Sequence, residues 1–397
     1  MGIETALATV SAQTASPDDI TGDCLDPSVK PPAALIAVLA VALISSRAEA
    51  LHYPGEGRRT AARDFSVDAQ RFELPNGLIV LLAPDRGFSN VLVWTTFRAG
   101  TLYEPAGRSG LAHLVEHLMA TGPTPQTDYQ TLLETRGARH FNASTDFETM
   151  QFETVVPAAE LSLALWVDAD RLGSLPALID AEQVERNRRV VLQERAVRDV
   201  DAPYGLVDEQ LFKRLFAAPH PLHGSVAGVP AELAHVTAGD AQTFATRLLV
   251  PANGVLTIVG RFDPAEARRL IEDGLGRLPA GRRARIPALP PFGQAMVDAR
   301  QELIAREPRV IEAWRLSRVS HDEALALFDL DTLEGRASRL SRLELLGSKM
   351  NVAQDCSGHW GLDPPAVREL ARGYLANPRV IVHARPLRPR PARAERE

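Results

Sequence analysis

Two histidines and a glutamate interrupt an otherwise apolar run, Leu111-Ala112-His113-Leu114-Val115-Glu116-His117-Leu118. On a helix, His113 and His117 stand one turn apart on the same face. Glu116 points about 60° away from His113 on the helical wheel, so it borders that face. A helix this apolar belongs in a core, and polar groups inside a core need partners. One metal ion meets the need. Two neutral imidazoles bind Zn²⁺ at about 2.0–2.1 Å each, and a carboxylate beside them can take a proton from a water whose pKa the metal lowers toward about 7. A pair of idle surface histidines fits the apolar background poorly. The helix is predicted from about Ser109 to Ala120, with Ser109 as N-cap and Gly122-Pro123 beyond its end.

A zinc site needs a third protein ligand and an open position. His140, Asp146, Glu148, Glu185 and Glu194 are all candidates, and spacing alone does not choose among them. The surrounding elements alternate between strands and helices without a regular βαβ period. Residues 71–74 and 78–83 flank a Pro75-Asn76-Gly77 turn and read as a hairpin, because Asn-Gly tolerates the positive φ such a turn requires. Strands are predicted at 91–98, 147–156 and 254–260, with helices at 128–135, from Pro157 to 172, at 181–198 and at 265–278. Beyond residue 293, strands are predicted at 310–315 and 379–384, with helices at 322–333 and 365–375. This pattern favours an α+β layer architecture.

The markers around the pentapeptide form an ordered series. They are Gly107-Arg108-Ser109-Gly110, Phe141-Asn142-Ala143-Ser144-Thr145, Trp166, Asp170-Arg171-Leu172 and Val190-Val191-Leu192-Gln193-Glu194-Arg195. Asp201-Ala202-Pro203-Tyr204-Gly205, His220-Pro221, Pro251-Ala252-Asn253 and Val259-Gly260 continue it. In these markers the chain resembles the M16 (pitrilysin/insulinase-like, inverzincin) zinc metallopeptidases from about Phe72 to Phe292. The resemblance implies the LuxS/M16-like metallohydrolase fold, an α+β architecture of mainly antiparallel sheets flanked by helices. It implies one Zn²⁺ per chain held by His113, His117 and Glu194, with Glu116 activating a zinc-bound water. It also implies that Asn142, Ala143 and Ser144 lie on an edge strand that pairs with the substrate backbone. An auxiliary acidic residue often precedes the third ligand by seven positions in this family. Asn187 stands there instead, with Glu185 nearby.

The resemblance divides the chain. Residues 51–280 form an N-terminal zinc-peptidase domain, 281–293 a Pro/Gly/Arg-rich linker, and 294–386 a truncated second domain that looks shortened around residues 346–355. Residues 387–397 form a Pro/Arg-rich disordered tail. Residues 1–50 read as a leader with a signal peptide: an apolar run of 13 at Ala33–Ser45 precedes an Ala48-x-Ala50 cleavage signal. The first 28 residues are acidic, which moves the expected start to Val29 and the mature N-terminus to Leu51. The mature chain is then exported, periplasmic or extracellular, with no stable membrane span. A net charge of −6 argues against a nucleic-acid partner.

The function implied is a zinc-dependent endopeptidase acting on peptides or unfolded polypeptides, as a homo- or hetero-dimer with an M16-like subunit. The shortened second domain supports a second reading, a non-catalytic peptide-binding or scaffold subunit of such an oligomer. Smaller features read as structural. The pair His220 and His223 suits a loop, and Cys356 beside His359 suits a minor core or loop position. Arg186, Arg188, Arg189, Arg195 and Arg198 suit a solvated helix face, and Trp94 and Trp166 suit a core.

Overall fold

The computed structural model describes residues 69–122, 128–216 and 218–288, together with four strands and the single positions 337, 341 and 345 outside that span. The leader apart from Val10–Ala12, the helices at 322–333 and 365–375, the shortened region at 346–355, both cysteines and the tail lie outside the described residues. The strands are β1 (Val10–Ala12), β2 (Gln70–Glu73), β3 (Ile79–Pro84), β4 (Asn90–Phe97), β5 (His140–Thr145), β6 (Met150–Pro157), β7 (Gly254–Gly260), β8 (Val297–Leu303), β9 (Arg309–Trp314) and β10 (Arg379–Pro386). The helices are α1 (Leu111–Ala120), α2 (Tyr129–Glu134), α3 (Leu161–Gly173), α4 (Leu175–Leu178), α5 (Ala181–Arg195), α6 (Val207–Leu215), α7 (Pro230–Leu233), α8 (Ala238–Leu248) and α9 (Pro264–Asp273). No helix among the described residues is long and apolar enough to cross a membrane.

Six strands form the main sheet in the order β2-β3-β7-β4-β6-β5. Every neighbouring pair is antiparallel except β3 with β7. Both faces are covered, which is why β3, β4 and β7 are apolar at nearly every position. Val80, Leu82, Val91, Val93 and Phe97 face the helices and join their core. Leu81, Leu92, Trp94 and Val259 face the other way. Ala337 and Leu345 pack on that second face, and the Ser341 hydroxyl bonds that of Thr257 at 2.7 Å. A second, four-stranded sheet runs in the order β1-β9-β10-β8.

The hairpin and the strands at β4, β7, β9 and β10 fall where the pattern puts them. Other expectations change. The strand expected from Phe147 begins at Met150, because Asp146 makes a turn first, its carboxylate accepting from Glu148 N and Thr149 N. The helix expected from 265 to 278 breaks at Gly274 into a short 3-10 turn. Trp166 is 50% exposed rather than in the core. Its helix buries Leu161, Ala164, Leu165, Asp168 and Arg171, an i, i+3, i+4, i+7 stripe that leaves position 166 on the outer side. Finally, α6 and α8 went unread, although the Thr237/Asp240 capping box at the start of α8 is a legible signal.

Candidate metal centre and its cavity

Helix α1 buries Leu111, Ala112, Leu114, Val115, Leu118 and Met119, and it carries Glu116 into the interior with them. Its N-terminus is not capped by Ser109. Gly110 takes the N-cap position at φ 92° and has no side chain to offer. The carboxylate of Glu104 does the work from a distance, accepting from Gly110 N at 3.1 Å and Ala112 N at 2.8 Å. The first N–H groups of a helix lack intrahelical partners, so this satisfies two of them. Ser109 is used sideways: its N–H donates to Glu232 at 3.0 Å and its hydroxyl accepts from Val229 N at 3.2 Å. Gly110 and Gly228 sit backbone to backbone, and a Cβ on Gly228 would lie 2.4 Å from Gly110 Cα.

Burial pushes the Glu104 carboxyl up to about 8, against the pull of its backbone N–H bonds. At neutral pH it is therefore largely protonated and acts as a neutral acceptor. Glu104→Gln is expected to cost under about 1 kcal/mol, since an amide oxygen accepts the same bonds. Glu104→Ala is expected to cost about 1–3 kcal/mol by orphaning two buried donors. The folded-state pKa lies above the unfolded value. The stability Glu104 contributes is therefore present in acid and is lost as pH rises from about 4.3 through about 8. Thermal melts of wild type and Glu104→Gln across that range check this, and the slope should be weaker in the variant.

The C-terminal end of α1 is held by Arg171. Its Nε donates to Met119 O at 2.9 Å, and its guanidinium pairs with Asp168 at 2.5 Å. Thr95 donates to the other oxygen of Asp168. The guanidinium lies 4.2 Å from the centre of the Phe152 ring. Arg171 and Asp168 are both buried. Burial raises the Asp168 pKa and lowers that of Arg171, and their mutual attraction opposes both shifts. The helix is thus fixed at both ends by side chains from other elements.

Between those ends the two imidazoles converge. His113 Nε2 and His117 Nε2 are 3.2 Å apart. Glu194 Oε2, from the last turn of α5, stands 3.4 Å from each of them. Tetrahedral donors at about 2.0–2.1 Å from zinc are separated from one another by about 3.3–3.4 Å. The spacing of the three atoms therefore fits one zinc-sized ion. Burial lowers the His113 pKa to about 4, with His117 adding to the effect, and burial also lowers that of His117. Burial thus favours the neutral form of both rings, the form that ligates metal. His113 Nδ1 is buried without a hydrogen-bond partner among the described residues.

Glu116 lies beside this trio, its ligand atom within 4.8 Å of those of both histidines. It is only 7% exposed. Burial raises its pKa to about 7; the Thr145 side chain and Arg198 pull the other way, and Glu194 adds to the rise. A carboxylate poised there can exchange a proton near neutral pH.

The other candidate ligands go elsewhere. His140 pairs with Glu153 at 3.1 Å on the outer strands. Asp146 caps its own turn, and Glu185 reaches out to Arg188. Asn187 donates to Gln183 O at 2.9 Å and takes no part in the centre. The arginines of α5 divide. Arg188 donates to the carbonyls of Leu233 and Val236, and Arg195 pairs with Glu209 at 2.6 Å, so neither lies on a purely solvated face. His220 and His223 form no metal pair: His220 Nδ1 accepts from Leu222 N, and His223 Nδ1 lies 2.6 Å from Phe216 O.

A cavity of about 520 Å³ opens over the four central residues. One wall is β5, including Asn142, Ala143 and Ser144. This strand ends the sheet order and pairs only with β6, matching Asn142 to Glu153 and Ser144 to Gln151. Its other edge is open among the described residues. The opposite wall comes from the end of α5 and the turn after it, with Arg195, Arg198 and Asp199. Sequence reading missed the roles of Glu104 and Glu232, which carry no local signal because their partners are set by tertiary packing.

Residues 79–223 match the family model described as insulinase, peptidase family M16. The chain is 25% identical over 338 residues to zinc protease PqqE of Helicobacter pylori, covering 83% of this chain and 74% of the relative. It is 30% identical over 245 residues to an uncharacterized zinc protease of Mycobacterium tuberculosis, covering 60% of this chain and 54% of the relative. It therefore spans about half the length of that mycobacterial relative. Among solved structures, a protease from Helicobacter pylori superposes with a TM-score of 0.72 at 15% identity, covering 81% of this chain and 100% of that one. A peptidase M16 inactive domain from Pseudomonas fluorescens superposes with a TM-score of 0.69 at 13% identity, covering 82% of this chain and 99% of that one. Such likeness shows a shared fold.

Proposed function

This chain carries an insulinase-type domain of peptidase family M16, and from that premise we propose that it is a zinc-dependent endopeptidase acting on extended peptides. The carrying observation is the convergence of His113 Nε2, His117 Nε2 and Glu194 Oε2 at 3.2–3.4 Å with buried Glu116 beside them. Those three side chains would hold the ion, one per chain. Zinc bound there supplies Lewis acidity, polarising the scissile carbonyl and acidifying water.

The chain's own residues do the rest. Asn142, Ala143 and Ser144 on the open edge of β5 pair with the peptide backbone and lay it across the cavity, as a strand adds to a sheet. Glu116 accepts a proton from the attacking water and then passes it to the leaving amine. The same carboxyl would serve both steps, and its burial, by favouring the proton-bearing form, suits it to hold the proton between them. The neutral form of His113 and His117 would leave their Nε2 lone pairs free for the ion rather than occupied by protons.

Metal analysis of the purified chain should give about one zinc per chain. His113→Ala and Glu194→Ala should each lose it, and a chelator should abolish hydrolysis of a quenched fluorescent peptide until zinc is restored. Wild type with no bound metal at neutral pH would end the reading. A second reading rests on the fold shared with an inactive M16 domain: a peptide-binding subunit whose partner does the chemistry. It requires the chain to bind zinc and peptide yet cleave nothing, alone or with an M16-like partner. The leader at 1–50 is proposed to direct export, and N-terminal sequencing of secreted protein should return Leu51.

A further inference from the structure

At Arg195 the α-helical ladder of α5 gives way to a π turn, residues 196–200, closed by Asp201 N donating to Ala196 O at 2.7 Å. Such turns are rare and concentrate at functional sites. This one is clamped from outside. A Cβ on Gly205 would lie 2.6 Å from Arg198 O and 2.5 Å from Asp199 O, so only glycine permits the approach. Tyr204, next to it, is held at φ 64°. The backbone that carries Arg198 is therefore fixed although its side chain is exposed.

Arg198 follows Glu194 by one helical turn and lines the cavity together with His113, Glu116 and Asn142. The neighbouring cation on that wall, Arg195, is engaged with Glu209 at 2.6 Å and Asp199 at 3.4 Å. Arg198 makes no hydrogen bond or ion pair with any described residue. The remaining charged residues of the lining are acidic: Glu116, Asp128, Glu194 and Asp199. Of these, Asp199 is paired with Arg195, so Arg198 is the arginine of the lining that no described carboxylate engages. A guanidinium fork suits a carboxylate in bidentate geometry.

We propose that Arg198 binds a carboxylate of the peptide, from an acidic side chain or from its own C-terminus, and so sets a preference for negative charge at one fixed distance from the scissile bond. This rests on the peptidase reading, in which the peptide lies along β5. Exposure at the wall separates Arg198 from the buried place where the carbonyl reacts, which makes it a specificity residue.

The test uses the full-length zinc-loaded Glu116→Gln chain, so that binding is read without cleavage. Fluorescein-labelled decapeptides of Ala, Ser and Thr carry one Glu walked along the sequence, each with a Gln counterpart, and with free or amidated C-termini. At one position, or at the free C-terminus, the acidic peptide should bind about tenfold tighter than its neutral counterpart. Adding Arg198→Ala should bring the pair within about twofold, and Arg198→Glu should invert the preference. Which arm responds identifies the source of the carboxylate. Equal binding of acidic and neutral peptides, or a preference that survives Arg198→Ala, overturns the proposal. With Glu116 intact, an Arg198→Ala loss of hydrolysis that is equal for acidic and neutral peptides overturns it too. If wild type hydrolyses nothing while the binding preference holds, the peptidase reading fails and Arg198 is a carboxylate-binding residue of a peptide-binding chain.

Discussion

Glu116→Gln is expected to keep about one zinc per chain and to lose about 10²–10⁴-fold in peptide hydrolysis, the usual worth of a positioned general base. The substitution is nearly isosteric and lies in a packed helix, so the fold has little reason to change. The amide cannot take a proton from water or return one to the amine. The three proposed ligands should be untouched, since His113, His117 and Glu194 converge on one another without needing Glu116. Single-turnover hydrolysis and metal analysis on one preparation separate the two effects. Unchanged hydrolysis would remove Glu116 from the chemistry. Loss of zinc together with activity would make it a ligand rather than a base.

Arg171→Met is expected to destabilise the fold by about 3–5 kcal/mol, because Asp168 would be left buried and unpaired. Asp168 and Arg171 are 2% and 1% exposed, so neither charge has water to fall back on. The variant also strips Met119 O of its donor at the end of α1. Asp168→Leu combined with Arg171→Met should recover much of the loss, since removing both charges removes the desolvation cost along with the attraction. Urea denaturation of the wild type, the two single variants and the double variant measures this. A loss below about 1 kcal/mol for Arg171→Met would mean that the pair is not held as buried ions. If α1 is fixed by this arginine as its geometry indicates, the variant should also release zinc faster.

Local chemistry was legible wherever one segment contained both the signal and its consequence. The Asn76-Gly77 turn predicts the β2–β3 hairpin, and apolar runs predict β4 and β7. The spacing of His113, Glu116 and His117 places all three along one side of a helix before any coordinates are known. Errors arose where a neighbour distant in sequence overrode a local preference. Ser109 is a good N-cap by composition, yet Val229 and Glu232 draw its groups away and Glu104 takes its place. Arg188 and Arg195 look like surface cations in a charged stretch, yet the carbonyls at the end of α7 and the carboxylate of Glu209 engage them.

The pentapeptide therefore determined by itself that two imidazoles and a carboxylate share a helix in an apolar setting, because helical periodicity is a property of sequence. The third ligand was a different matter. Five residues competed for it on chemistry alone, and the family resemblance favoured Glu194 without showing a contact. Only the packing of α5 across α1 brings Glu194 Oε2 to 3.4 Å from both rings and turns Glu185 outward. That choice depends on distances between segments far apart in the chain, and such distances exist only once the core between them has formed.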